Sequence, residues 1–319
     1  MEEKKLKIVF LCRDFGKVNR GVEAHVYELA ECLKEWFDVE IFSGPDADSI
    51  GKVINGKFDL VIPTNGRTQS LKMSLGRLIG GYKVLITGHA GIGKDEIWNL
   101  LTRPDVYVAL TEAESDWAKQ FAFGVRIAKI PNGIDLEKFT PVGKKKDLGL
   151  KSPIILSVGA LEWYKYHDLA IRAVSRLPSA SLLIVGEGSE KEKLLKIGNQ
   201  LLGEKRFKII SVDYETMPEI YRSAKLFTLP SWDREAFGIV YLEAMATNLP
   251  VVAPDDLSRR EIIGEAGILR DVFDIENYSK ALEAALSKKW ENIPKRQAEK
   301  FSWDKVSQEY KKLILKVCQ

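Results

Sequence analysis

The segment Pro230–Pro250, PSWDREAFGIVYLEAMATNLP, holds two glutamates separated by seven residues. A strand ends near Pro230 and a helix opens near Phe237–Gly238. Glu235 therefore stands just ahead of a helix N-terminus, where free backbone N–H groups and the macrodipole favour anionic or hydroxyl-rich ligands. Glu243 falls inside the helix, in a stretch otherwise apolar from Gly238 to Ala246. A carboxylate on that face is buried, and burial costs several kcal/mol unless the group is paired or hydrogen-bonded. A sugar or ribose diol supplies two donors to one carboxylate and answers that cost. A neighbouring arginine or the backbone is the structural alternative, and the residues alone leave both open.

Three other constellations bear on chemistry. His89 follows the apolar run Lys83–Thr87, on the kind of loop where parallel α/β sheets bind ligands. His25 and His167 lack such a place, and a structural or surface role is expected for them. Gly88–Lys94, GHAGIGK, has the spacing of a phosphate-binding loop, but Asp95 stands where Ser or Thr would hold magnesium and no later strand ends in a suitable Asp. A nucleoside triphosphatase is set aside on those grounds. Asp46 and Asp48, in PDADS, have the Asp-x-Asp spacing of a metal-diphosphate site, yet they sit in a Pro-containing stretch where Asp favours turns. No metal site is assigned.

The two glutamates within EAFGIVYLEAMA resemble the paired-glutamate motif of retaining GT-B glycosyltransferases, in particular glycosyltransferase family 4 (group 1). The likeness extends over nearly the whole chain: RGVEAHVYELA at Arg20–Ala30, IPNGID at Ile130–Asp135, VGALEWYK at Val158–Lys165, LLIVGEG at Leu182–Gly188 and LPVVA at Leu249–Ala253. It implies two Rossmann-like domains facing across a cleft, a C-terminal helix crossing back to the first, and transfer of a sugar from a UDP-, GDP- or ADP-linked donor with retention of configuration. Neither metal nor cofactor is expected, and the acceptor is a glycan, lipid or small molecule. Carried over by position, the resemblance gives Glu235 the donor-sugar hydroxyls, with Ala236, Phe237 and Gly238 beside it, and Glu243 the ribose. Lys165 neutralises the diphosphate and His89 faces the donor sugar. Gly186 and Gly188 shape the nucleotide pocket, the backbone near Val212 meets the base, and Gly21 lets the first loop approach the ligand. A sugar-nucleotide epimerase or a degenerate binding protein shares the fold; the order of motifs favours transfer.

Departures from the family pattern are specific. Arg20–Gly21 replaces a glycine pair, Ala160 an arginine, Tyr166 and Asn248 glycines, and Asp256–Glu261, DLSRRE, lacks a further glycine pair. Loss of a cation at Ala160 with gain of one at Arg20 suggests that the second phosphate-binding cation has moved to the first domain.

These residues need a scaffold. Ten short apolar runs alternate with helical patterns: Ile8–Leu11, Val39–Phe42, Leu60–Ile62, Val84–Thr87 and Val106–Leu110, then Ile154–Val158, Leu182–Val185, Phe207–Ile210, Leu226–Leu229 and Val251–Ala253. This is βαβ logic repeated twice. Between the sets lies a Pro-bounded, lysine-bearing stretch read as a linker over 142–152, which divides an N-terminal domain (1–141, plus a crossover helix over 302–319) from a nucleotide-sugar domain (153–301). Val22, Val26, Leu29, Ala30 and Leu33 predict an amphipathic helix, as do Val306, Tyr310, Leu313, Ile314 and Val317. Arg67–Lys83 mixes Arg67, Lys72, Arg77 and Lys83 with Leu71, Leu75, Leu78 and Ile79. It is either an ordinary core-facing helix or a peripheral contact with an anionic membrane.

The chain has 319 residues, enough for two α/β domains. Its 48 basic and 45 acidic residues nearly cancel, so charge gives no argument for nucleic acid. Three cysteines without ligand spacing point to a reducing compartment. The absence of a signal peptide or a long apolar run leads to the expectation of a cytoplasmic protein, peripheral on the membrane at most.

Overall fold

A computed structural model describes residues 5–15 and 21–319. The chain forms two compact units: Met1–Gly133 with Phe301–Gln319, and Ile134–Lys300. Each is built on a six-stranded, wholly parallel sheet with helices on both faces, the doubled Rossmann-like α/β architecture expected from the sequence.

The first sheet comprises β1 (Lys7–Leu11), β2 (Asp38–Phe42), β3 (Leu60–Pro63), β4 (Lys83–Thr87), β5 (Val106–Ala109) and β6 (Arg126–Lys129), in the order β2-β1-β3-β4-β5-β6. Strand β1 is apolar without alternation because both its faces are covered. Ile8 and Phe10 join one core, and Val9 and Leu11 the other. The predicted amphipathic helix runs Gly21–Leu33 and buries Val26, Leu29, Ala30 and Leu33. The C-terminal helix, Trp303–Cys318, returns to the same core with Trp303, Val306, Tyr310 and Ile314. Four such side chains, at about 1.5–3 kcal/mol each, make this helix part of the first unit's stability rather than an appendage.

Helix Arg67–Gly80 is turned opposite to an ordinary core helix. Its buried face carries Gln69, Ser70, Met73, Ser74 and Gly76, whereas Leu78 and Ile79 are 80% and 81% exposed and Leu71 and Leu75 are also exposed. The polar buried face is satisfied where it matters: Gln69 accepts the Thr64 and Asn65 N–H groups, both at 3.0 Å, and donates to the Ala47 carbonyl at 2.9 Å. The neighbouring helix Lys94–Leu101 exposes Trp98 and Leu101. No helix among the described residues is long and apolar enough to cross a membrane.

The second sheet comprises β7 (Ile154–Val158), β8 (Ser181–Val185), β9 (Phe207–Ile210), β10 (Leu226–Thr228), β11 (Val251–Pro254) and β12 (Gly267–Arg270), in the order β12-β11-β10-β7-β8-β9. The chain winds outward from β7 through β8 to β9 and then restarts at β10 on the other side of β7. The switch point thus lies between β7 and β10, and ligands in such folds bind outside the carboxyl ends of the strands flanking it. The stretch 142–152, read as a linker, packs on this unit. Arg222 donates to the Thr140 and Lys144 carbonyls, the Lys146 N–H reaches the Ser223 Oγ at 2.8 Å, and Lys208 donates to the Leu148 carbonyl at 3.0 Å.

Candidate functional site

The loops leaving β7 and β10 hold the central pair. Lys165 ends a 3-10 turn, Trp163–Lys165, and its Nζ lies 2.5 Å from the Glu235 Oε2. Their side chains are 14% and 17% exposed, so the ion pair sits in a largely dry recess with one open side. The Trp232 N–H donates to the Tyr164 carbonyl at 3.0 Å and the two rings tilt against each other, which ties the loops together. Burial pushes the Glu235 carboxyl up, but Lys165, Arg259 and the Ser231 hydroxyl together pull it further down, and it stays ionised.

Arg259 was not singled out by the sequence reading. It is buried on helix Leu257–Ile263, pairs with Asp256, and donates to the Ser231 carbonyl (2.9 Å), the Ser231 Oγ (2.7 Å), the Trp232 carbonyl (2.8 Å) and the Tyr241 hydroxyl (3.1 Å). The loop carrying Glu235 is therefore moulded over a guanidinium. Its sequence signal was the Asp-x-x-Arg spacing across a helix start, where Asp256 caps the Arg259 N–H. Gly238 begins the helix Ile239–Ala246 with φ 76°, and a Cβ there would come within 2.6 Å of the Tyr241 ring. Ala236 is half-buried and Phe237 buried beside it.

Glu243 is buried on that helix and accepts the Tyr221 hydroxyl at 2.6 Å. Burial raises its carboxyl to about 7, opposed by the Tyr221 and Tyr214 hydroxyls and by Lys138. Its structural partners are thus tyrosines, not the arginine or backbone weighed from sequence. Gly186 and Gly188 do not face open space. A Cβ on Gly186 would sit 1.9 Å from the Gly159 carbonyl oxygen, and one on Gly188 would sit 2.5 Å from that of Leu161. They let the loop after β8 lie on the loop after β7, where the Leu161 N–H donates to the Glu187 carbonyl at 2.7 Å. Val212 is half-buried between β9 and the turn at Tyr214–Thr216.

His167 is not at the surface. It is buried under the Lys165 turn, its Nδ1 lies 3.1 Å from the Ser157 Oγ, and its Nε2 has no partner. Desolvation, with Lys165 nearby, lowers it to about 4, so the ring is neutral. Next to the Glu235 loop a cavity of about 530 Å³ is lined by Tyr166, Ser231, Trp232, Arg259, Arg270 and Phe273 among others.

In the first unit His89 lies on the loop after β4, and its buried Nε2 has no partner among the described residues. Desolvation lowers it to about 4. The His25 ring meets it edge-on with centroids 4.6 Å apart, and Trp303 of the C-terminal helix lies 5.4 Å beyond. His25 is buried, its pKa pushed well down by desolvation. Of the structural and surface places expected for it, His25 takes a buried one, beside a candidate site residue. Glu23 Oε2 and Asn132 Oδ1 are also buried and find no partner among the described residues. Gly21 opens the helix Gly21–Leu33, and Arg20 lies outside the described residues. Asp48 binds Arg13 and Asp46 pairs with Lys52 in the turn Gly44–Asp48.

The sequence model of the family described as "Glycosyl transferases group 1" matches residues 142–301, half of the 319-residue chain. The phosphatidyl-myo-inositol mannosyltransferase of Mycolicibacterium smegmatis is 29% identical over 326 residues, covering 87% of this chain and 84% of that protein. The N-acetylgalactosamine-N,N'-diacetylbacillosaminyl-diphospho-undecaprenol 4-alpha-N-acetylgalactosaminyltransferase of Campylobacter jejuni is 32% identical over 200 residues, 58% of this chain and 52% of that one. Among solved structures, sucrose-phosphate synthase from Thermosynechococcus elongatus superposes with a TM-score of 0.83 at 18% identity, covering 98% and 99% of the two chains. Anabaena HepE in complex with UDP and glucose gives 0.77 at 18% identity, covering 97% and 99%. At these identities the structural likeness is one of fold.

Proposed function

We propose, because this chain belongs to the group 1 glycosyl transferases, that it moves a sugar from a nucleotide-diphosphate donor to an acceptor hydroxyl with retention of configuration and without a metal ion. The observation that carries the finer reading is the Lys165–Glu235 pair at the switch point of the second sheet. A cation already desolvated and held by a carboxylate can turn to a diphosphate, leaving the carboxylate free to accept sugar hydroxyls. In transfer, the bond from the anomeric carbon to the diphosphate oxygen breaks, a bond to the acceptor oxygen forms, and the acceptor's proton leaves with the nucleoside diphosphate. Lys165 acts mainly as that charge develops. Glu243, already bonded to Tyr221, has the buried carboxylate that a ribose diol suits, and the resemblance assigns His89 to the donor sugar.

A screen of UDP-, GDP- and ADP-sugars by thermal shift identifies the donor, since a ligand at 100 times its Kd stabilises by about 2.7 kcal/mol. Proton NMR of the first-formed product then reads the anomer, and an inverted product overturns the retaining assignment. Full activity in chelator is expected; abolition by chelator and rescue by a divalent ion refutes metal independence.

The acceptor is proposed to be lipid-linked. Relatives whose names specify phosphatidylinositol or diphospho-undecaprenol acceptors suggest the class. The outward Leu71, Leu75, Leu78 and Ile79, continued by Trp98 and Leu101, form an apolar face larger than scattered surface residues. Lys72 lies on the same helix, as does Arg67, which is paired with Asp95. Such a face suits peripheral contact with an anionic bilayer. Flotation with anionic vesicles at low salt is expected to carry the protein, and Leu78→Asp with Ile79→Asp to release it. Equal flotation of the double variant refutes the contact.

A further inference from the structure

Beneath the His89 loop lie two buried acids for which the reaction above has no use. Glu96, on helix Lys94–Leu101, and Glu114, on helix Glu112–Lys119, are each 1% exposed. Glu96 accepts the Ala90 N–H at 2.9 Å on one oxygen and the Asn99 amide at 2.9 Å on the other. Asn99 is itself held by the Ser70 hydroxyl at 3.1 Å. Glu114 accepts the Tyr107 hydroxyl at 2.7 Å and the Leu110 N–H at 2.8 Å. Tyr107, on β5, interacts with both carboxyls. Between them runs Gly88, where a Cβ would fall 1.8 Å from the Glu114 Oε1 and 2.3 Å from the Tyr107 hydroxyl oxygen. The residue before His89 therefore rests on one acid and tyrosine, and the residue after it is tethered to the other acid.

The four hydrogen-bond donors described above for these carboxyls are neutral, and neither acid makes an ion pair with a lysine or arginine among the described residues. Among the described residues, the other titratable groups facing them add no cation. Asp95 adjoins Glu96 and raises it further, Tyr310 of the C-terminal helix faces Glu114 and bonds to Thr87 at 3.4 Å, and the two histidines nearby are neutral. Two uncompensated anions acting on each other in a dry site are far costlier than one, so the pair retains a proton that belongs to it jointly.

We propose that Glu96 and Glu114 are positioning residues for His89, a coupled pair whose hydrogen bonds set the loop Gly88–Ala90 and whose charging displaces it. The proposal rests on the reading that His89 meets the donor sugar. Geometry carries it, through the tether at Ala90 and the absent side chain at Gly88. Desolvation of Glu114, which raises it to about 8, gives the pH at which the device acts.

The test has two readouts. In protein labelled at histidine nitrogens, with His89 assigned from a His89→Gln variant, the His89 ring signals are expected to move with a midpoint near pH 8. The ring's own proton is lost near 4, so this movement reports its neighbours. Glu114→Gln, which fixes a neutral group in place, abolishes the movement. Stationary signals between pH 7 and 9 in the wild type overturn the proposal, whether or not a donor has been found. In turnover, wild-type kcat/KM falls roughly tenfold from its plateau by pH 9, the loss expected one unit above the titration, and the profile of Glu114→Gln stays flat. An alkaline fall of equal depth in the variant overturns the link to catalysis even if the signals move. Should the first not fold, Glu96→Gln is the second variant: it removes the charge that helps raise Glu114, so the midpoint of the movement is expected to fall below that of the wild type, and an unchanged midpoint overturns the coupling.

Discussion

Glu235 in the second unit and Glu114 in the first are both carboxyls withdrawn from water at the carboxyl end of a parallel sheet, yet burial leaves one ionised and the other protonated. The difference lies in the donors. Glu235 has Lys165 against it and Arg259 behind it, whereas Glu114 has a tyrosine hydroxyl and a peptide N–H. Cationic partners offset desolvation; neutral ones do so only in part. The consequence for pH has opposite signs. The Glu235 carboxyl lies below its ordinary value when folded, so its stabilising contribution is present above that value and is lost as pH falls through the folded one. The Glu114 carboxyl lies above its ordinary 4.5, so folding is favoured at acid pH and that advantage is lost as pH rises toward about 8. The second unit holds its buried carboxyl as a fixed charge, and the first keeps its own above the ordinary carboxylate range.

The sharpest way to break this comparison is to remove charge from each unit. Arg259→Met leaves Asp256 and the carbonyls of Ser231 and Trp232 without their donor, and a loss of about 3 kcal/mol is expected, as for truncating one partner of a buried pair. Glu96→Gln removes a group that already shares a proton and is expected to cost under about 1 kcal/mol near pH 7. Urea unfolding at pH 7 compares them, and equal losses would erase the distinction drawn between the units. Next in size is Lys165→Ala, expected to lower kcat by 10²- to 10³-fold, about 2.7–4 kcal/mol in the transition state, with a smaller change in KM. A change confined to KM would make Lys165 a binding residue only.

Glu243 sharpens the comparison because it is a neutral-type acid within the charged unit. It stands near 7 when the site is free, and hydroxyl donors of a bound ribose favour its ionised form. Donor binding must therefore expel the proton when pH is below 7. Kd is expected to rise roughly tenfold from pH 8 to pH 6, since about nine-tenths of the free sites are then protonated. Glu243→Gln should bind more weakly at pH 8 and show no such slope. Titration calorimetry with the donor nucleotide at both pH values measures this, and a flat wild-type profile removes the ribose role.

How much of this was legible follows from what each element must bury. The ten strands marked in the sequence are present, and the two that were missed, β6 (RIAK) and β12 (GILR), each lie at one edge of a sheet, the opposite edges being β2 and β9. Covered on fewer sides, they need no continuous apolar run. Lys165 and Glu235 were named and do meet. Arg259 and the Glu96–Glu114 pair were not, because a buried ion or acid has no periodic signature, and its partners come from elements distant in sequence. Glu114 did leave a trace in Thr111-x-x-Glu114, a capping-box spacing. The Thr111 hydroxyl caps the Glu114 N–H as that pattern requires, while the carboxyl reaches back to Leu110. The glycines at 186 and 188 were legible as a tight turn, but the space they spare is taken by the protein's own backbone.

The smallest expected effect concerns Tyr166, at a place where the family resemblance implies a glycine. Gly88 has no side chain because the first unit's acids occupy the space, whereas Tyr166, directly after Lys165, occupies a left-handed conformation with φ 50° at the start of helix His167–Ser175. Left-handed backbone costs a residue with a Cβ about 1 kcal/mol or more. The Tyr166 ring recovers part of this against Phe273, edge to face at 5.3 Å, a contact of about 0.5–1.5 kcal/mol. Tyr166→Gly relieves the backbone and loses the ring, so its net change should fall within about 1 kcal/mol of zero. Tyr166→Ala loses the ring and keeps the backbone cost. Glycine should therefore be the more stable of the two variants by about 1 kcal/mol, although at ordinary positions alanine is favoured because glycine gives up more unfolded-state entropy. That inversion is the measurement, made by chemical unfolding of both variants at one pH. If alanine equals or exceeds glycine at 166, the turn beside Lys165 holds no backbone strain, and a side chain there costs the second unit nothing.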